Sequence, residues 1–306
     1  LSAVGTAAAA PGSRVAGNLA SVASNLTWAL TFPLTAALLV RWEASLLAAA
    51  RLGVAALSLW LIMLLLRRRP VLPEVSLFLV ARLSALMATG VILLVWGQTM
   101  ADPVTASIIA VTMPLISAVL GWLEGRERLD RQLLLALAFA LAGGIVAGLG
   151  RSGAVLRPTV PGLGELVVLL AFVAWTMFGR ATVRRLAHVD DLTRTAVMAT
   201  GAAAWLTLVA LLLLAAGLVP LRVDLGATAL VQLAVLGAVG VGLATLLWFM
   251  GARHLGVTVA AMHQNAVPFY VMLMGLAVGG TLQLGPVLGA LLVVLGAFIA
   301  QRRRSA

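Results

Sequence analysis

The chain has 306 residues, 62% hydrophobic and only 10% charged, where a soluble domain carries about a quarter charged; a water-soluble globule is excluded. Its net charge of +11 comes from arginine alone, 21 residues with no lysine. These sit in short links between apolar runs and form no basic face interleaved with aromatics, so the partner they imply is the lipid bilayer and not nucleic acid. Cysteine is absent, which removes disulfides and thiolate metal ligands, and nothing in the composition asks for a cofactor or metal.

A hydrocarbon core about 30 Å thick takes roughly 20 apolar residues of helix to cross, and ten stretches qualify. The small, weakly apolar run from Ala3 to Gly12 leads into the first of them and is not read as a cleaved signal peptide. Span 1 runs from Val15 to Val40, span 2 from Ala44 to Leu66, span 3 from Val80 to Ala101, span 4 from Pro103 to Leu123 and span 5 from Gln132 to Gly150. Span 6 covers Gly162 to Arg180, span 7 Thr195 to Gly217 and span 8 Ala227 to Ala252. Residues 255–301 carry no charge; they are too long for one helix, and the turn chemistry of Gly279-Gly280-Thr281-Leu282-Gln283-Leu284-Gly285-Pro286 divides them into spans 9 and 10.

The second half repeats the first. At an offset of 154, Ala106 meets Ala260, Pro114 meets Pro268, Gly121 meets Gly275 and Gly125 meets Gly279, and the register continues through Leu134/Leu288 to Ile145/Ile299. With the N-terminus inside, 15 arginines fall on the inner side and 4, Arg41, Arg151, Arg157 and Arg222, on the outer. The positive-inside rule then places both termini in the cytoplasm and requires an even number of spans. Five spans per half force the second copy upside down. The expected fold is an all-α integral membrane domain over residues 1–306, with ten transmembrane helices as two inverted five-helix repeats (15–150 and 162–302) around a central cavity, the arrangement in which transporters bind substrate.

Pro114 and Pro268 fall near the middle of spans 4 and 9. Each deletes a backbone hydrogen bond and frees a carbonyl four residues upstream, those of Ala110 and Gln264. A packing kink or a conformational hinge lining a wet cavity both account for this, and the recurrence of the pair at matched positions favours the hinge. His263-Gln264-Asn265, followed by Tyr270, is the densest polar cluster at bilayer depth; His263 and Tyr270, seven apart, share a helix face. Substrate contact competes here with interhelical hydrogen bonding. Trp28 and Trp175 lie near mid-span, where a cavity lining or simple packing explains them, whereas Trp96, Trp122 and Trp248 lie nearer span ends and suit belt or packing roles. Gly121/Gly125 and Gly275/Gly279 are GxxxG pairs, read as close helix crossings. Arg51 and Arg82 are read as snorkelling to the interface. Of the ten acidic residues only Glu165 approaches a span interior, which predicts weak or no ion coupling, although His263 could titrate.

Several runs resemble a known group. Gly125-Arg126-Glu127-Arg128-Leu129, Arg131-Gln132-Leu133-Leu134 and Leu141-Ala142-Gly143 are similar to the "GERL…RQLLG…LAG" signature that closes the first half of EamA-type members of the drug/metabolite transporter superfamily. Leu247-Trp248-Phe249 with Leu255-Gly256 and Pro268, the tryptophans Trp28 and Trp175, and Ala50-Arg51-Leu52 with Ala55-Ala56-Leu57 resemble its other stretches. The sequence departs from the pattern in one extra residue before Glu127, in Gly280-Thr281-Leu282 lacking a glutamate, and in the polar cluster at 263–265. The resemblance, closest to the aromatic and neutral amino-acid exporters, implies ten helices around a cavity and alternating access. The expected function is export of small neutral or aromatic metabolites, amino acids foremost, from a bacterial inner membrane, with a small-molecule substrate as partner. A proton-coupled drug or metabolite exporter is the alternative. A membrane transferase would need clustered aspartates, and Asp190-Asp191 is followed by Leu-Thr-Arg; a channel would need a symmetric filter or a charged pore ring.

Overall fold

A computed structural model describes residues 11–71, 75–101, 103–126, 131–149 and 162–277, with isolated helical positions between 288 and 299. In lipid the backbone must satisfy its own hydrogen bonds, and with almost no polar side chains to compete these sequences form helix; all regular structure among the described residues is helical. The helices are α1 (Pro11–Ala29), α2 (Thr31–Leu39), α3 (Ala44–Leu65), α4 (Leu77–Gly97), α5 (Pro103–Ile109), α6 (Met113–Leu123), α7 (Arg131–Leu149), α8 (Leu163–Arg185), α9 (Asp191–Ala215), α10 (Ala227–Ala234), α11 (Ala244–Leu255), α12 (Val257–Met262) and α13 (Val267–Ala277). Six stretches among the described residues are long and apolar enough to cross a membrane: Arg14–Leu39, Ala44–Leu65, Leu77–Gly97, Leu163–Arg185, Asp191–Ala215 and Ala227–Leu255. They are spans 1–3 and 6–8. Spans 4, 5 and 9 are present as α5–α6, α7 and α12–α13; the turn at 279–286 and nearly all of span 10 lie outside the described residues.

Four interruptions give the bundle its shape. One-turn 3-10 segments, Ala110–Thr112 and His263–Ala266, divide spans 4 and 9 at matched repeat positions. Each prolines' turn begins a new helix, where a missing N–H costs nothing. The carbonyls expected to be free are not: Ala110 accepts from the Met113 N–H and Gln264 from the Val267 N–H, because the tighter winding of a 3-10 turn recruits the donor three residues on. Span 1 breaks at Leu30 ahead of Pro33, and span 8 carries a π-helical stretch at Val235–Leu243. Neither break was expected.

Contacts between elements pair the two halves. α4 packs on α8 and α11 on α1; α3 packs on α9; α6 packs on α12 and α5 on α13, with the two 3-10 turns touching between them. Exchanging spans 1–5 for 6–10 converts the α4–α8 contact into α11–α1 and leaves α3–α9 unchanged. Small residues permit this closeness: a Cβ on Gly90 of α4 would stand 3.2 Å from the Trp175 nitrogen and 3.3 Å from the Ala171 carbonyl of α8. The core is apolar, yet leucines also cover the outside and small polar side chains are buried with the core. Leu57, Leu64, Leu65 and Leu212 face outward, while Ser21, Ser24, Asn25, Thr35, Ser84, Ser117 and Thr176 are buried, the pattern expected when the surroundings are hydrocarbon.

The ends are tied by polar contacts. Asp190 caps α9 through the Leu192 and Thr193 N–H groups, so that helix starts four residues earlier than the apolar run suggests. At the end bearing Arg184, Arg185 and Arg253, Asp191 pairs with Arg194 and reaches Arg253 of α11 at 3.2 Å. At the opposite end the Arg222 guanidinium donates to the Trp42 carbonyl at 3.1 Å, and Arg41 pairs with Asp224 at 3.2 Å.

Gly125 differs from its expected part. It has φ +68, and a Cβ there would meet nothing within 4 Å. The Arg126 N–H returns to the Gly121 carbonyl at 2.9 Å and the Gly125 N–H to that of Trp122 at 2.8 Å. Gly125 is therefore the left-handed stop of α6 and makes no helix crossing. Gly121 is buried within α6, Gly275 lies in α13, and Gly279 lies outside the described residues.

Candidate substrate cavity

The polar side chains turned inward surround a two-chambered cavity at mid-span. One chamber is bounded by Trp28, Phe172, Trp175, Leu94, Val241 and Arg51 among others. The second is bounded by Ser24, Asn25, Trp28, Trp175, Trp248 and Gln264. Trp28, Trp175 and Thr245 border both. Because Asn25 precedes Trp28 on a helix that starts at the arginine-rich end, the second chamber lies on that side of the tryptophan pair and the first on the other.

Rigid aromatic packing holds the indoles. Trp28 stands edge-on to Phe32 at 5.1 Å and Phe172 at 6.0 Å, and Trp175 is tilted against Phe178 at 5.5 Å. Ser24 donates to the Ala244 carbonyl at 2.8 Å, fixing α1 to the end of the π-helical stretch whose Val241 faces the first chamber.

Of the expected substrate residues, the structure brings Trp28, Trp175 and Gln264 together around the cavity. Gln264 is 2% exposed, and its Oε1 has no partner. The other members of the polar cluster go elsewhere. His263 Nε2 lies 3.0 Å from Asn18 Oδ1 of α1, and its Nδ1 lies 3.1 Å from the Val259 carbonyl, so the competing interhelical bond is the one it makes. Asn265 is buried with its amide unpartnered and borders neither chamber. Tyr270 packs with the cluster around Phe32 and Met113. The face expected to unite His263 and Tyr270 does not exist, because four residues of 3-10 winding advance the helix phase by about 80° relative to an α-helix.

Trp248 joins the lining although its place near a span end suggested belt or packing. Arg51 is a larger correction. It does not snorkel: its side chain is 2% exposed and borders the first chamber. The signal was present in the sequence, since seven residues of helix from Ala44 place it about 10 Å deep, near the limit of an arginine's reach. Arg82, by contrast, is exposed.

A second polar cluster joins α6 to α8 beside the cavity. Arg180 donates to the Ser117 carbonyl at 3.1 Å and to Glu124 Oε2 at 3.2 Å, and Arg184 reaches the same oxygen at 2.7 Å. Ser117 in turn lies 3.0 Å from the Thr258 hydroxyl of α12. Burial would raise the Glu124 carboxyl; the hydrogen bond and charge of Arg180, then those of Arg184, outweigh it and hold the group below its ordinary value of 4.5. A depressed carboxyl contributes stability in full above that ordinary value and loses it as pH falls through the lowered one. Glu124→Gln removes one charged partner of buried Arg180. With Glu124 about a third exposed, the expected cost is about 1–2 kcal/mol, read as a lower apparent melting temperature in detergent that no longer responds to acid below pH 4.5 as the parent does.

A mid-membrane cavity at the meeting of two sequence-related helical halves, walled by aromatics with a few inward polar groups, is the construction of a multi-pass membrane transporter. The family model of the EamA-like transporter family matches this chain twice, over residues 15–149 and 162–301, and the chain belongs to that family. It is 26% identical over 207 residues to the uncharacterized transporter YyaM of Bacillus subtilis (strain 168), a match covering 67% of this chain and 66% of that protein; the chain thus spans just under two thirds of the relative's length. A solved crystal structure, described only as that of a protein, superposes with a TM-score of 0.73 at 22% identity over 96% of this chain and 99% of its own, which shows the shared fold.

Proposed function

We propose that this chain exports small neutral or aromatic metabolites, amino acids foremost, across the bacterial inner membrane by alternating access, with weak or no ion coupling. The observation that carries the reading is the pair of chambers meeting at Trp28 and Trp175: a solute held between two indoles could be reached from either side in turn. Ten helices in two inverted repeats account for the exchange symmetry of the contacts and for the antiparallel crossing of α5–α6 on α12–α13. The arginine-rich end is the cytoplasmic one by the positive-inside rule. No carboxylate is among the described residues that line either chamber, which supports transport without a proton or sodium site.

In reconstituted proteoliposomes, efflux of labelled phenylalanine is expected at similar rates with and without a pH gradient. Strict dependence on the gradient would contradict the uncoupled reading. The paired 3-10 turns mark where the halves flex, so Pro268→Ala, which lets α12 and α13 fuse, is expected to slow turnover about tenfold while leaving binding within about twofold. Equal losses in both would remove Pro268 and Pro114 from the conformational step.

A further inference from the structure

Arg51 is the most costly side chain in the first chamber. Its guanidinium offers five N–H donors, yet Nε has no partner and one terminal nitrogen reaches the Thr35 hydroxyl at 3.3 Å. Among the described residues no carboxylate lies within 4 Å of it; the buried Glu43, on the residue before the same helix, is engaged with Ser45 and the Leu46 N–H. An unpaired cation this deep is unfavourable unless something else neutralises it. Around it stand Trp28, Phe172, Trp175, Leu94 and Val241, a wall suited to an aromatic or aliphatic body.

We propose that Arg51 is the recognition group of this chamber and that the solute it takes is a small organic carboxylate with an apolar body. The fork of a guanidinium matches a carboxylate in two parallel hydrogen bonds, and entry of the anion removes the uncompensated charge. Among the described residues no lining carboxylate receives an ammonium, so an amino acid is recognised through its carboxylate and an amine without one is rejected. This rests on the export reading and narrows its substrate class.

The test uses the full-length chain in detergent and four ligands with one phenyl ring: phenylacetate, phenylalanine, 2-phenylethanol and phenethylamine. Binding is read by quenching of tryptophan fluorescence. Phenylacetate and phenylalanine are expected to bind at least about tenfold more tightly than 2-phenylethanol, with no saturable binding of phenethylamine. Arg51→Met is expected to abolish the carboxylate preference while melting no lower than the parent, and Arg51→Lys to keep part of the preference. A merely structural arginine gives the reverse: a lower melting temperature in Arg51→Met with the ligand ranking unchanged. Equal binding of phenylacetate and 2-phenylethanol, or no binding of phenylacetate, overturns the proposal, and this series on the parent protein decides even if Arg51→Met fails to fold. A chain that moves phenylalanine in proteoliposomes without any carboxylate preference overturns the Arg51 site and leaves export standing. One that binds phenylacetate but moves no solute does the opposite.

Discussion

Gly90→Leu is expected to abolish transport and to lower the melting temperature. At Gly90, α4 meets the backbone of α8, and a Cβ there would lie 3.2 Å from the Trp175 nitrogen and 3.3 Å from the Ala171 carbonyl. Backbone atoms cannot rotate aside as a side-chain tip can, so the whole of α8 must move. Overpacking of this kind costs about 1–3 kcal/mol. The functional cost is larger, because Gly90, Ala171 and Trp175 are walls of the first chamber and a leucine there both fills it and displaces an indole. Gly90→Ala should be intermediate, parting the helices by a few tenths of an ångström. Melting in detergent and initial rates in proteoliposomes read the two effects separately; a leucine variant that transports at the parental rate would show that the α4–α8 contact does not shape the path.

Trp175→Ala carries the second large effect, and it falls on affinity more than on stability. Truncating a fully packed tryptophan costs about 3–5 kcal/mol, but Trp175 is only partly buried and faces empty space in both chambers. The expected results are a modest loss of melting temperature and at least about tenfold weaker solute binding, with Trp175→Phe retaining most of it. Trp28→Ala should behave similarly. Because both indoles grip one solute, the double variant should lose less than the two single losses combined. Full additivity would mean that the residues act at separate places.

Spans 1–3 and 6–8 could be read from hydropathy, and the offset of 154 placed the breaks at Pro114 and Pro268, since a proline at bilayer depth leaves a mark in any sequence. The break at Leu30 ahead of Pro33 carries the same mark. The π-helical stretch left less to read. Gly237, Gly240 and Gly242 press it against α1, α2 and α3, but glycines spaced so are common in membrane helices, and the widened winding depends on what packs alongside. Site residues divided along similar lines. Trp28, Trp175 and Gln264 line the cavity, as a large aromatic or an amide at mid-span does when it is turned inward. The rest of the 263–270 cluster was misplaced once the 3-10 turn shifted its phase, and Asn18, the partner of His263, lies 245 residues away. Arg51 was hidden by a general habit of arginines near span ends, and Gly125 by a GxxxG spacing that its positive φ overrides.

The central claim is that one cavity, bordered by Trp28, Trp175 and Thr245, is reached alternately from both sides of the membrane. The chain has no cysteine, so Thr245→Cys provides a single thiol between the chambers without further engineering. In proteoliposomes, impermeant methanethiosulfonate reagents applied from the outside and, separately, from the lumen are each expected to modify that thiol. Either modification should stop phenylalanine counterflow, and saturating solute should slow both. Modification from one side only, or counterflow that continues after complete modification, would contradict the account.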